Sequence, residues 1–149
     1  MKNNSILDYL RTVSQYHTID HHAKIAAAIV YKNKIISIGV NCMKSHPFQK
    51  LYSRNEDSIY WHAETNAIFN ALKLYDEHFL SYCDLYIARV KRDHDGNILD
   101  GYAKPCKGCI KAIKKYNIRN VYYTYDACLD ISYWNNKTNN NESNYILHK

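Results

Sequence analysis

Apolar positions Ile6, Leu10 and Val13 recur at helical spacing in SILDYLRTVSQY, which predicts a first helix with Ser5 as its N-cap. Two β-rich runs follow, KIAAAIVY and IISIGV, separated by KNK, and together they predict a two-strand hairpin. Gly39 and Asn41 end the second strand and open a polar loop of about twenty residues, a length that is usually functional in a compact domain. From Ala63 the apolar positions Ala67, Ala71 and Leu74 return at helical spacing, flanked by Ile68, Leu72 and Tyr75. That face should be buried, and Asn66, Asn70 and Lys73 should face water. DLYIARVK reads as a third strand, and DHDGN as the tip of a hairpin-like excursion. KGCIKAIKKYN reads as a helix with Ile110 and Ile113 inward and its lysines outward, and NVYYTYD as a fourth strand. A fifth strand is placed near residues 130–134 or is missing. Residues 135–149 are polar without apolar period and read as a flexible tail after a single domain, 1–134.

Alternating strands and helices build an α/β sheet covered by helices. Strand–helix–strand connections imply parallel neighbours, and functional groups then collect at helix starts along one rim of the sheet.

Composition narrows the picture. A chain of 149 residues can bury a core without a disulfide or metal staple. No apolar run is long enough to cross a membrane, and no secretory leader is visible, so a cytoplasmic location is expected. The five cysteines are an odd number, which disfavours a disulfide framework. Cys42, Cys83 and Cys128 stand in apolar contexts and read as buried thiols. The net charge of +6 suits anionic partners, although the cations are scattered.

The chemistry lies in two fragments. HAE places His62 and Glu64 at the start of one helix, and PCKGC places Cys106 and Cys109 at the start of another. One imidazole and two thiolates supply the three protein ligands of a catalytic zinc, leaving a position for water. Helix N-termini stabilise thiolates there, and Pro105 suits the first helical turn. Glu64 would stand beside the ion as a proton carrier. A chance PCxxC is expected only about 0.002 times in a chain of this composition. The alternatives are a hydrogen-bonded core histidine with a cysteine redox pair, or half of a four-cysteine zinc site. The second CxxC that a four-cysteine site needs is missing, and a redox pair leaves HAE unexplained.

H-x-E followed by P-C-x-x-C resembles the signature of the zinc-dependent cytidine and deoxycytidylate deaminase superfamily. The hairpin ending in G-x-N, the HAETNAIFNAL helix and PCKGCIKAIKKYNIRNVYY are similar to the deoxycytidylate deaminases over roughly residues 23–126. The resemblance implies a three-layer sandwich with a mixed sheet of four to five strands. It implies one zinc per chain on His62, Cys106 and Cys109, with Glu64 as proton shuttle. Asn41 would contact the sugar, with loop capping as its alternative role, and the Ala63 N–H would meet the base carbonyl. A homo-oligomer is also implied.

The expected reaction is hydrolytic deamination of a cytosine nucleotide, dCMP to dUMP, with Arg54, Lys44 or His46 neutralising the phosphate and Arg54 favoured by its fork. Deamination of a nucleoside, a free base, or a tRNA or other polynucleotide remains open, with the tyrosines of VYYTYD as stacking candidates. A non-catalytic zinc-binding module is the reading outside enzymology. His17, His21, His22 and His94 lack ligand-like spacing with a free cysteine, so no second metal is expected.

Overall fold

The computed structural model describes residues 3–17, 24–53, 55, 60–126 and 145–146. The elements run α1 (Asn3–His17), β1 (Lys24–Tyr31), β2 (Lys34–Val40), β3 (Cys42–Ser45), α2 (Pro47–Leu51) and β4 (Tyr60–Trp61). They continue with α3 (Ala63–Leu72), α4 (Glu77–Leu80), β5 (Asp84–Arg92), β6 (Ile98–Gly101), α5 (Lys107–Lys115), β7 (Val121–Tyr123) and β8 (Tyr145–Ile146). No helix among the described residues is long and apolar enough to cross a membrane.

Five strands lie side by side in the order β2-β1-β5-β7-β8, and β6 pairs the far half of β5. Only β5 and β7, joined through α5, run parallel. The other pairings are antiparallel, so the sheet is mixed. The hairpin between β1 and β2 turns on Lys32 and Asn33, both left-handed, which matches the twist of the flanking strands. Strand alternation sorts the core into two layers. Ala26, Ala28, Tyr86 and Ala88 face α1, packing on Ile6, Leu7 and Leu10. Ala27, Ile29, Leu85 and Ile87 face α3 and α5, packing on Ala67, Ile68 and Ala112.

Several local expectations are corrected. Helix α1 starts at Asn3, so Ser5 lies inside its first turn and is not the N-cap. Helix α3 stops at Leu72: the amides of Leu74 and Tyr75 both converge on the Ala71 carbonyl, which leaves Leu74 72% exposed. Asn66 and Asn70 are half-buried, because β2 is an edge strand whose carbonyls need donors. Asn66 Nδ2 donates to the Val40 carbonyl at 3.0 Å and Asn70 Nδ2 to the Ile38 carbonyl at 2.8 Å. The long loop contains β3, α2 and β4, with β3 and β4 forming a separate small sheet. Residues 130–134 lie outside the described residues, and the strand beside β7 comes from Tyr145 and Ile146 in the polar tail.

One contact sets how close α3 can come to the sheet. A Cβ on Gly39 would lie 2.3 Å from the Ala67 nitrogen and 2.4 Å from the Ala63 oxygen, both backbone atoms. Gly39→Ala must therefore push α3 away from β2. The expected cost is about 3 kcal/mol, the upper end of overpacking penalties, read as a drop in Tm of roughly 6–12 °C. An unchanged Tm would show that strand and helix are not in this close contact.

Candidate metal centre and active-site cleft

His62 and Cys106 occupy the same structural position on two helices. Each is the extended N-cap residue, of α3 and α5 respectively, and neither side chain caps its own helix. N-cap side chains ordinarily fold back onto the first-turn amides. Here both turn toward one point between the helix starts. Cys109, in the first turn of α5, joins them. His62 Nδ1 lies 3.5 Å from Cys106 Sγ and 3.3 Å from Cys109 Sγ, and all three donor atoms fall within 4.8 Å of one another. Zinc–sulfur and zinc–nitrogen bonds of ordinary length give a tetrahedral N···S edge of about 3.6 Å. The donor set and spacing therefore fit zinc. Pro105 lies before the N-cap and outside the helix, because Cys106 is itself extended.

The Cys109 thiol donates its proton in a hydrogen bond to the Cys106 sulfur. Hydrogen bonding from Cys109 pulls the Cys106 thiol down to about 3, against the opposing effect of burial. Cys109, fully buried, is raised by the same hydrogen bond and by desolvation. A cation in place of that proton would ionise both.

The backbone of His62 is held from outside the two motifs. The His62 backbone N–H donates to Gln49 Oε1 at 3.0 Å, and Gln49, on α2, is completely buried. The Thr65 hydroxyl also donates to Gln49 Oε1, with the His62 carbonyl 3.1 Å away as its alternative acceptor. Gln49 was not identifiable from the sequence, since its partner is 13 residues away and α2 has no amphipathic period.

Glu64 is 5% exposed, and its carboxyl lies within hydrogen-bonding reach of Cys109. Burial pushes its pKa up, countered by His62. It stands beside the three donors and outside the ligand group.

His62, Glu64 and Cys106 line a cleft of about 460 Å³, within the usual range for small-molecule sites. Ala63 and Asn41 both line it. Ala63 opens α3, and its N–H is among the first-turn donors that have no acceptor within a helix. Asn41 Oδ1 accepts from the Ile25 N–H at 3.0 Å, and the Asn41 N–H donates to the Ile25 carbonyl at 3.2 Å, so this residue also closes the end of the hairpin. Arg54 lies outside the described residues, as does Cys128. His46 is committed elsewhere: its Nδ1 accepts from Phe48 N–H to cap α2, and its ring stacks on Trp61 at 3.7 Å. Lys44 is exposed and does not line the cleft. Cys83 is buried, whereas Cys42, expected to be buried, is half-buried in the cleft wall. Tyr123 and Tyr125 are core residues, 4% and 8% exposed, and are not available for stacking on a substrate.

Two cations line the cleft outside the sequence motifs, Lys104 just before PCKGC and Arg89 on β5. Arg89 is the one on a sheet strand. It shares alternation with Leu85 and Ile87, which face α3 and α5. A charged residue at core parity in LYIARV is the signal that could have singled it out.

The zinc-binding region of the cytidine and deoxycytidylate deaminases matches the chain over residues 2–125. The chain belongs to this family. Solved structures share its fold. The dCMP deaminase of cyanophage S-TIM5, solved in apo form and in complex with dCMP and dUMP, is 20–21% identical. In apo form the match covers 86% of this chain and 88% of that one, with a TM-score of 0.53. Guanine deaminase from Bacillus subtilis is 21% identical over all of this chain and 85% of that one, with a TM-score of 0.57. A structure from studies of A-to-I editing by tRNA:A34 deaminases is 21% identical over 82% of this chain and 76% of that one, with a TM-score of 0.50. Among curated proteins nothing matches the chain.

Proposed function

We propose that this member of the cytidine deaminase superfamily converts a cytosine nucleotide to its uracil form, dCMP to dUMP, with release of ammonia. The observation that carries the reading is the charge of the cleft around a buried carboxylate. Apart from Glu64 and the Cys106 sulfur beside it, the charged side chains in its described wall are Arg89 and Lys104, both cations. Such a wall favours an anionic nucleotide over a neutral nucleoside or free base.

Zinc, when bound by His62, Cys106 and Cys109, supplies the Lewis acidity that brings a water's pKa toward about 7. The residues of the chain do the rest. Glu64 takes a proton from the water as its oxygen bonds to C4 of the base, and passes that proton to N3. A second transfer through Glu64 moves the new hydroxyl's proton to the amino nitrogen. The C4–N bond breaks, ammonia leaves and a carbonyl remains. The Ala63 N–H donates to the base carbonyl and fixes which ring edge meets Glu64. Asn41, which lines the cleft at the end of the hairpin, would contact the sugar.

A second reading rests on the cleft mouth. Tyr60, Met43 and Tyr102 line it and are 49%, 56% and 41% exposed. Exposed aromatic faces beside cations suit stacking by bases of a single strand. Ammonia release from dCMP, dCTP, deoxycytidine, cytidine, cytosine, guanine and a short single-stranded oligonucleotide separates the readings. The expected order is dCMP first, by at least about tenfold in kcat/KM over deoxycytidine, as a charge-assisted phosphate contact gives. Turnover confined to the oligonucleotide would replace the first reading with the second.

A further inference from the structure

The role of Arg89 in the cleft rests on the proposed nucleotide substrate. Its backbone is fixed at a three-way junction. Arg89 lies opposite Ile25 on β1 and opposite Gly101 on β6. Its N–H donates to Thr124 Oγ1 at 3.0 Å, and the same hydroxyl donates to the Gly101 carbonyl at 2.8 Å. Thr124 is 1% exposed and marks where β7 gives way to β6 as the neighbour of β5.

The side chain is seated with equal care. Its stem lies flat over Gly101: a Cβ there would stand 2.8 Å from Arg89 Cγ and 2.9 Å from Cδ. The head is unmatched. Arg89 Nε is buried without a hydrogen-bond partner, and the guanidinium makes no hydrogen bond or ion pair among the described residues. Among the described residues the other arginines are matched: Arg11 forks onto Asp100, Arg119 onto Asp84, and Arg92 donates to the Gly96 carbonyl. A half-buried guanidinium with a buried, unpaired N–H is costly unless an oxygen-rich group completes it. It lies in the wall that holds Glu64 and Cys106, so what enters the cleft meets it.

We propose that Arg89 binds the phosphate group of the substrate through its guanidinium fork. Carboxylate and phosphate both match that fork, and a nucleotide brings the phosphate. The source is the monoester of a free nucleotide or the diester of a strand, and the chemistry at Arg89 is shared.

The test uses the full, zinc-loaded chain and its Arg89→Leu, Arg89→Lys and Gly101→Ala variants. Arg89→Leu should raise KM for dCMP roughly 10- to 100-fold while leaving KM for deoxycytidine and both kcat values within about twofold. Arg89→Lys keeps the charge without the fork and should recover part of the loss. Gly101→Ala displaces the stem without removing the charge and should reproduce the selective dCMP penalty. A penalty seen on an oligonucleotide and not on dCMP would assign the same contact to a phosphodiester. Equal effects on dCMP and deoxycytidine would overturn the proposal. Calorimetric binding of dCMP to wild type and Arg89→Leu keeps this result separate from the proposed reaction. Arg89-dependent dCMP affinity without turnover would sustain the phosphate contact and sink the deaminase reading. Turnover of dCMP that is indifferent to Arg89 would do the reverse.

Discussion

Glu64→Gln is expected to keep one zinc per chain and to lower kcat for deamination by about 10³- to 10⁴-fold, the upper range for loss of a general acid–base group. The geometry separates the two outcomes. The carboxyl contacts Cys109 and lies outside the three-donor group, so an amide of the same shape leaves the metal ligands in place. What the amide cannot do is accept a proton and return it. At 5% exposure, Glu64 has little bulk water to replace it in that role. Burial also favours the neutral form, so a proton taken from water is held readily enough to be delivered to the ring. Zinc content by atomic absorption and kcat on the best substrate are the two measurements. Glu64→Ala should behave likewise, with some loss of thermal stability from the space left under α3. A variant that retains a tenth of the wild-type rate would remove Glu64 from proton transfer. One that loses its zinc would make Glu64 a structural support of the centre.

The parts of this arrangement differ in how far the sequence exposes them, and the difference is physical. The hairpin, α3 and α5 are local in origin. KNK adopts the left-handed turn that two β-rich runs need, and Ala67, Ala71, Ala112 and Ile113 form stripes whose period declares a helix. His62 and Cys106 come at the first residues of those stripes, so the metal centre follows once both helices start at one rim of the sheet. The segment between β2 and α3 has no such period. It is held by tertiary contacts: His46 on Trp61, Phe48 on Phe69, and Gln49 under the His62 amide. Asn66 and Asn70 mislead for a related reason. Amphipathicity places them outward, but whether outward means water depends on where the sheet ends, and β2 ends there. Arg89 combines both cases, since strand parity marks it as inward while only the missing partner and the Gly101 seat mark it as a binding group.

The proposed metal ligands carry the second large effect. Cys109→Ala is expected to weaken zinc binding by more than about 100-fold, beyond the 10- to 100-fold typical of losing a partner that only orients a ligand. Cys109 is the sharper choice over Cys106 because its site tolerates the change. It lies inside the first turn of α5 at 0% exposure, where alanine is a good helix former, and the helix stays anchored through Ala112, Ile113 and Tyr116. These apolar contacts do not involve the Cys109 sulfur, so the variant should fold. Two readouts follow from binding that is linked to folding. Wild-type zinc content should approach one per chain, and a strong chelator should lower its Tm. Cys109→Ala should carry little zinc, lack activity, and show a Tm that does not respond to the chelator. If the variant kept a full equivalent of zinc, the ion would be held elsewhere. His62 and the two cysteines would then be a hydrogen-bonded cluster, with the Cys106 thiolate stabilised by its neighbours and not by a metal.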